Sequence, residues 1–174
     1  MRIINIVAKK GGGKTTTVKN KILPKLKKYL VFDLYGDDGY SDLPIAKKNA
    51  PPPKKARIAG GTFQSFMAYG SKLKDTALIV EDATIFIKGD IHNDDLRASI
   101  IGCRHRNILL VFLWHSLGRI PPFILEQSDF IILGNTQDGN FKKYERHPQI
   151  EEAHNRIKAR LSKGEKYPFE QVTI

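Results

Sequence analysis

The sequence holds a single cysteine, Cys103, among 174 residues. An intrachain disulfide and a cysteine metal cluster are both excluded, and a reducing compartment fits such a chain. Long hydrophobic runs are missing too. The longest, Ile108 to Trp114, has seven residues, well short of the roughly 18 that read as a membrane span, so no membrane insertion is expected. The apolar stretch at the amino terminus is too short for a signal peptide and leads straight into a motif that needs it as a strand, so secretion is not expected. Neither a repeat of solenoid period nor a long low-complexity tract is present. Acidic residues are scarce in one region. Residues 1–60 hold 4 of them against 14 basic ones, whereas residues 61–174 hold 14 against 15. Nearly all of the formal net charge of +11 therefore lies in the first third, and a polyanionic partner is the first expectation.

Apolar residues make up 41% of the chain and charged residues 27%, a balance that allows a soluble chain of this length to bury a core as one domain over residues 1–174. Short apolar, β-branched runs predict strands at Ile3–Val7, Tyr29–Asp33, Ala77–Val80, Ile108–Leu113 and Phe130–Leu133. Between them lie helix signals. Lys14 to about Leu23 runs into Pro24, Thr62 can cap a helix that Gly70 closes, Asn93 precedes Asp94 and Asp95, and Pro121 opens a further short helix. The tail reads as an amphipathic helix over Pro148–Lys163 and a last strand over Phe169–Ile174. Strands alternating with helices predict an α/β fold with a mostly parallel sheet covered on both faces.

The first strand runs into Ala8-Lys9-Lys10-Gly11-Gly12-Gly13-Lys14-Thr15, which is the P-loop pattern with alanine at its first glycine. Triphosphate binding explains each residue type. Glycines let backbone N–H groups turn inward around phosphates, and the helix amino terminus adds its positive end. Lys14 would reach the β- and γ-phosphates of ATP, and the Thr15 hydroxyl would ligate Mg²⁺. Lys9, Lys10 and Thr16 flank the same site. A P-loop also needs an acid on the metal side and a base for water. Glu81-Asp82 follows an apolar strand, in the reverse of the usual Walker B order, so which acid takes which role stays open. By position Glu81 is the metal-side acid, through water, and Asp82 the base; Asp33 ends another strand and is a rival on the metal side. If the Ile108–Leu113 strand lies between the P-loop strand and the Glu81 strand, His115 at its end points toward the γ-phosphate as a polar sensor.

AKKGGGKT, LVFDLYGDD, LIVEDA and RHRNILLVFLWHSLGRIPPFI followed by SDFIIL, in that order over about residues 3 to 135, resemble the FtsK–HerA superfamily of DNA-pumping P-loop ATPases. The compact size looks most like the genome-packaging ATPases of tailless icosahedral viruses with an internal membrane. The resemblance implies a three-layer, RecA/ASCE-like P-loop fold, with the helix and strand of about residues 141–174 added to it. It implies an ATP- and Mg²⁺-dependent translocase working as a homo-oligomeric ring of five or six on double-stranded DNA. Capsid or membrane-vertex proteins would be partners, and the host cytoplasm or the packaging vertex its place. It also implies an arginine acting on the neighbouring subunit's nucleotide. Arg104 fits the family's basic segment before the sensor strand, with Arg119 second and Arg97 and Arg106 as further candidates.

Two lysine groups remain for a longer polyanion: Lys19, Lys21, Lys25, Lys27 and Lys28 around the first helix, and Lys47, Lys48, Lys54, Lys55 and Arg57 bracketing three prolines. Lysine without a base-reading pattern suits sequence-blind contact with DNA phosphates, although a solvated lysine face reads the same way. Three other classes fit parts of the sequence. A ParA-type partition ATPase would use Lys9 and lack the sensor strand. A small P-loop kinase fits the length but not the absence of an arginine-rich lid. A non-hydrolysing nucleotide-gated module would follow if the Glu81-Asp82 order abolished hydrolysis.

Overall fold

The computed structural model describes residues 2–36, 38–47, 52–138 and 141–174. In chain order its elements are β1 (Arg2–Val7), α1 (Lys14–Thr17), β2 (Tyr29–Phe32), β3 (Lys55–Ile58), α2 (Phe63–Gly70), β4 (Ala77–Val80), α3 (Ala83–Phe86), α4 (Asp94–Gly102), β5 (Leu109–Trp114), α5 (Pro122–Glu126), β6 (Phe130–Leu133), α6 (Gln149–Ser162) and β7 (Glu170–Thr173). The strands form one sheet in the order β3-β2-β4-β5-β1-β6-β7. All neighbours are parallel except β6 and β7, which run antiparallel. This is the expected mostly parallel sheet flanked by helices, and β5 lies between β1 and β4.

Side chains alternate across the sheet because successive Cβ atoms point to opposite faces. On β5, Leu110, Phe112 and Trp114 join one core, and Val111 and Leu113 join the other. The two cores are unequal. The larger takes Phe63, Phe66 and Met67 from α2, Leu96 and Ile100 from α4, Ile124 from α5, and Ile150, Ala153 and Ile157 from α6. Its aromatic cluster includes Phe32 stacked on Phe66 with ring centroids 5.0 Å apart, an arrangement that adds about 0.5–1.5 kcal/mol beyond the burial itself. The smaller face is covered by α1 and its continuation, through Val18 and Leu23, and by Tyr40. That continuation is a π-turn over Val18–Ile22 and a 3₁₀ turn over Leu23–Lys25, so the helical run carries past Thr17 to Lys25, with Pro24 inside its last turn.

The helix starts follow the sequence closely. Thr62 and Ser65 form a reciprocal capping box on α2, and the Asn93 side chain accepts the Leu96 N–H at 2.8 Å at the start of α4. One element differs from expectation. Residues 55–58, read as part of a proline-stiffened basic loop, are the edge strand β3. Its pairing with β2 supplies the backbone hydrogen bonds, and edge strands tolerate charged residues. The last strand falls where it was expected and runs antiparallel to β6, a direction that residue alternation does not encode. Together α6 and β7 cap the sheet. Among the described residues no helix is long and apolar enough to cross a membrane.

Candidate functional site

β1, β4 and β5 end side by side, and each releases one part of the site. After β1 the chain turns through Gly11 and Gly13, both left-handed, at φ 71° and 82°. Gly12 needs its missing side chain for a different reason: a Cβ there would sit 2.8 Å from the Lys9 carbonyl and 2.9 Å from the Ala8 Cβ. Gly13 then caps α1, so the loop amides meet the helix amino terminus, where anions are favoured. The side chains of Lys9 and Lys10 stand exposed at the rim.

Lys14 is 7% exposed. Its Nζ donates to the Ala8 carbonyl at 2.8 Å and the Lys9 carbonyl at 3.3 Å, and it lies 3.1 Å from His115 Nδ1. An ammonium can only donate, so Nδ1 accepts and the ring proton sits on Nε2. Nε2 in turn lies 2.9 Å from Asp82 Oδ1 and donates to it. The structure thus links the P-loop lysine, the expected sensor and one of the two acids in a row. Burial lowers the Lys14 pKa against the opposing pull of Asp82 and Glu81. Burial also lowers that of His115, assisted by the Lys14 charge and resisted by Asp82. A neutral imidazole is the form this row requires.

The neighbouring acid faces elsewhere. Glu81 Oε1 accepts from the Thr15 hydroxyl at 3.0 Å and from the Tyr40 hydroxyl at 2.7 Å. Burial lifts its carboxyl to about 7, although the hydrogen bonds from Tyr40 and Thr15 hold it down. Adjacent residues point to different partners because Asp82 adopts a left-handed backbone, φ 47°, where β4 turns into α3. Such a conformation is uncommon outside glycine, asparagine and aspartate. A cleft of about 500 Å³ joins Lys14, Thr15, Glu81, Asp82 and His115 to the glycine loop.

Asp33, the rival acid, does not join this group. It ends β2, two strands removed from β1, and its carboxylate pairs with Arg57 at 3.2 Å with both side chains largely buried. That pairing also corrects the reading of Arg57 as a loop residue, since its guanidinium folds inward from β3. Lys47, Lys54 and Lys55 are exposed; Lys48 lies outside the described residues. Thr16 lines the cleft. Arg119 is exposed in the turn Leu117–Arg119 just after β5, at the glycine-loop end of the sheet. Arg104 is exposed before β5, at the other end, about 20 Å away for a strand of this length. A group acting on a neighbour's nucleotide has no need to lie near its own. Arg97 is engaged within the fold, 4.4 Å above the Phe123 ring, and Arg106 bonds the Lys72 carbonyl at 3.1 Å.

Several site residues were not legible as such. Tyr40, 1% exposed, lies in a stretch that composition marks only as turn, and a Cβ on its neighbour Gly39 would sit 2.8 Å from Thr15 Cγ2. Tyr167 reaches back from the tail to cover Gly13, with ring atoms 3.0 Å from where a Cβ would be. Thr84 accepts the His115 N–H at 3.1 Å. Asp138 accepts the Leu117 and Gly118 N–H groups at 2.8 and 3.4 Å and the Thr136 hydroxyl, fixing the turn that carries Arg119. None of these contacts is local in sequence apart from Thr136.

No family model matches the sequence, and no curated protein matches it. Solved structures do share its fold. The genome-packaging NTPase B204 of Sulfolobus turreted icosahedral virus 2, in complex with sulfate, superposes with a TM-score of 0.77 at 20% identity, covering 99% of this chain and 91% of that one. The same protein has also been solved with ATP-gammaS and AMPPCP. B204 of Sulfolobus turreted icosahedral virus, described as a DNA-packaging ATPase, gives 0.70 at 16% identity over 99% and 97% of the two chains. The N-terminal domain of the zonular occludens toxin of Neisseria meningitidis gives 0.52 at 11% identity over 78% of each. The B204 likeness is one of fold, and it agrees with the mostly parallel sheet flanked by helices expected from the sequence.

Proposed function

We propose that the chain is an ATP-hydrolysing translocase of double-stranded DNA that packages a viral genome into a preformed capsid. It would work as a homo-oligomeric ring of five or six subunits that meets capsid or membrane-vertex proteins. The observation that carries this reading is the convergence of Lys14, Thr15, Glu81, Asp82 and His115 at the ends of β1, β4 and β5, with β5 in the middle. An intervening sensor strand weighs against the ParA-type arrangement.

The residues present suit a magnesium nucleotide. Mg²⁺ is characteristically held by one or two carboxylates together with substrate phosphates, and the Thr15 hydroxyl beside Glu81 is such a donor set. Thr15 would bind directly and Glu81 through water; the ion supplies neutralisation of phosphate charge. The chain's own groups divide the remaining work. The glycine-loop amides and Lys14 hold the β- and γ-phosphates. Asp82 accepts a proton from the attacking water, and His115, hydrogen-bonded to both Lys14 and Asp82, keeps cation and base in register at the γ-phosphate. Arg104 or Arg119 supplies the trans-acting cation. Lys47, Lys48, Lys54 and Lys55 contact DNA phosphates without reading sequence.

The test is phosphate release by wild type and Lys14→Ala, with and without long double-stranded DNA, at low and moderate salt. DNA should stimulate the wild type and the stimulation should weaken as salt rises, while the variant stays inactive throughout. Hydrolysis indifferent to DNA at both salt levels would refute the translocase.

A further inference from the structure

The six parallel strands give the sheet two unlike rims. Their carboxyl ends carry the nucleotide cleft. Their amino ends lie in one row, because Tyr29, Lys55, Ala77 and Leu109 are in register as the first residues of β2, β3, β4 and β5. The segments that feed this row are tied laterally by main-chain hydrogen bonds. Tyr29 N–H donates to the Lys54 carbonyl, Ala77 N–H to that of Lys28, Leu109 N–H to that of Thr76, and Asp75 N–H to that of Arg106.

Each of these four segments brings exposed cations to the row. Lys27 and Lys28 precede β2, and Lys54 and Lys55 open β3. Lys72 and Lys74 precede β4. Arg104 and Arg106 precede β5, where the Arg106 guanidinium also bonds the Lys72 carbonyl at 3.1 Å. Within residues 27–28, 54–55, 72–75 and 104–107 the one acid is Asp75, and its Oδ1 accepts from Asn107 Nδ2 at 2.8 Å. Pairs lying tens of residues apart in sequence therefore form one continuous positive band.

We infer that this amino-terminal rim of the sheet is a binding surface for the phosphate backbone of duplex DNA, on the side of the subunit opposite the nucleotide. The inference rests on the translocase reading and assigns it a surface drawn from four strands rather than from Lys47, Lys54 and Lys55 alone. Four adjacent strands span about 15 Å, comparable to the major groove of about 12 Å. Cations at the two ends of the band can thus meet the phosphate rows on both sides of one groove. Lysine predominates, which suits point-charge contact with phosphate without base readout. Lys54 and Lys55 belong to the band, whereas Lys47 and the lysines on the exposed side of the first helix do not.

The experiment compares two charge-matched variants by fluorescence anisotropy on a mixed-sequence DNA duplex between 50 and 200 mM salt. One replaces Lys27, Lys28, Lys72 and Lys74 by alanine; the other replaces Lys21, Lys25, Lys158 and Lys163 by alanine. Thermal melting establishes that both are folded, and single substitutions within each set serve if either is not. Each phosphate contact contributes about 0.9 to the slope of log affinity against log salt. The rim variant should therefore bind with a slope shallower by about 3 to 4, the second by less than about 1. Equal losses in the two variants, or no loss in the rim variant, would overturn the assignment while leaving DNA binding intact. A wild type that binds no duplex at all would overturn the translocase reading as well. Loss of binding to phosphatidylserine–phosphatidylcholine vesicles with DNA binding unchanged would replace the assignment by a membrane-facing one.

Discussion

Replacing Glu81 by glutamine should remove a pH dependence of folding stability that the wild type carries. In the fold this carboxyl is lifted from its ordinary value near 4.5 to about 7, chiefly by burial. The unfolded chain gives up that proton first, so between the two values the folded state holds more protons and stability falls as pH rises. The contribution is fully present below about 4.5 and is lost once pH passes about 7. At about 1.4 kcal/mol per tenfold, the displacement corresponds to about 3 kcal/mol. Urea unfolding of the wild type and Glu81→Gln, in buffer free of nucleotide and divalent ions, measures it between pH 4.5 and 8. Other titrating groups are common to both proteins and cancel in the difference. That difference should move by about 3 kcal/mol against the wild type across the range. A difference that stays flat would mean that the Glu81 carboxyl is solvated in the folded protein, and the placement of Thr15, Tyr40 and Glu81 around one oxygen would have to be abandoned.

Tyr40→Phe removes a hydrogen bond that favours the ionised carboxylate, so the same transition should shift to higher pH; an unmoved transition in the same titration would count against that bond. His115→Ala disconnects Lys14 from Asp82 and should lower the hydrolysis rate by about a hundredfold with nucleotide affinity little changed, which steady-state kinetics and a fluorescent-nucleotide titration separate. Arg57→Ala removes a hydrogen bond between a guanidinium and a largely buried carboxylate and should cost about 2 kcal/mol in urea unfolding. Asp138→Ala frees the turn Leu117–Arg119 from two N–H contacts and a hydroxyl. It should cost about 2 kcal/mol, and limited proteolysis should then cut near Gly118.

The parts of the site that were legible in the sequence are those with local rules. Gly11, Gly12, Gly13, Lys14 and Thr15 form a contiguous loop whose backbone demands and chemistry both show in eight letters. Four apolar residues before Glu81 mark a strand end, as do Leu113 and Trp114 before His115. Even the position of His115 beside Lys14 could be anticipated from an expected strand order. Asp33 looked equivalent to Glu81 for the same reason, since both close an apolar strand. Lateral strand position separates them: Asp33 follows β2, one strand further from β1 than β4, and pairs with Arg57, whereas Glu81 meets Thr15. Likewise, the different partners of Glu81 and Asp82 rest on one left-handed residue at the start of α3, which neighbouring letters leave open. Lys55 to Ile58 was obscured as a strand by three prolines and flanking lysines, because pairing with β2 outweighs a weak local preference.

By itself, the sequence determined the phosphate loop, the alternation of strand and helix, the caps that start α2 and α4, and the sign of the charge. Each depends on residues within a few positions of one another. Tertiary structure decided what required distant segments to meet: Tyr40 on Glu81, Tyr167 over Gly13, Asp138 under the Arg119 turn, and the gathering of lysines from residues 27, 54 and 72 along one rim. Parallel strands place their starts on one side and their ends on the other, and β-register, unlike helix capping, is set by partners that lie far away in the chain.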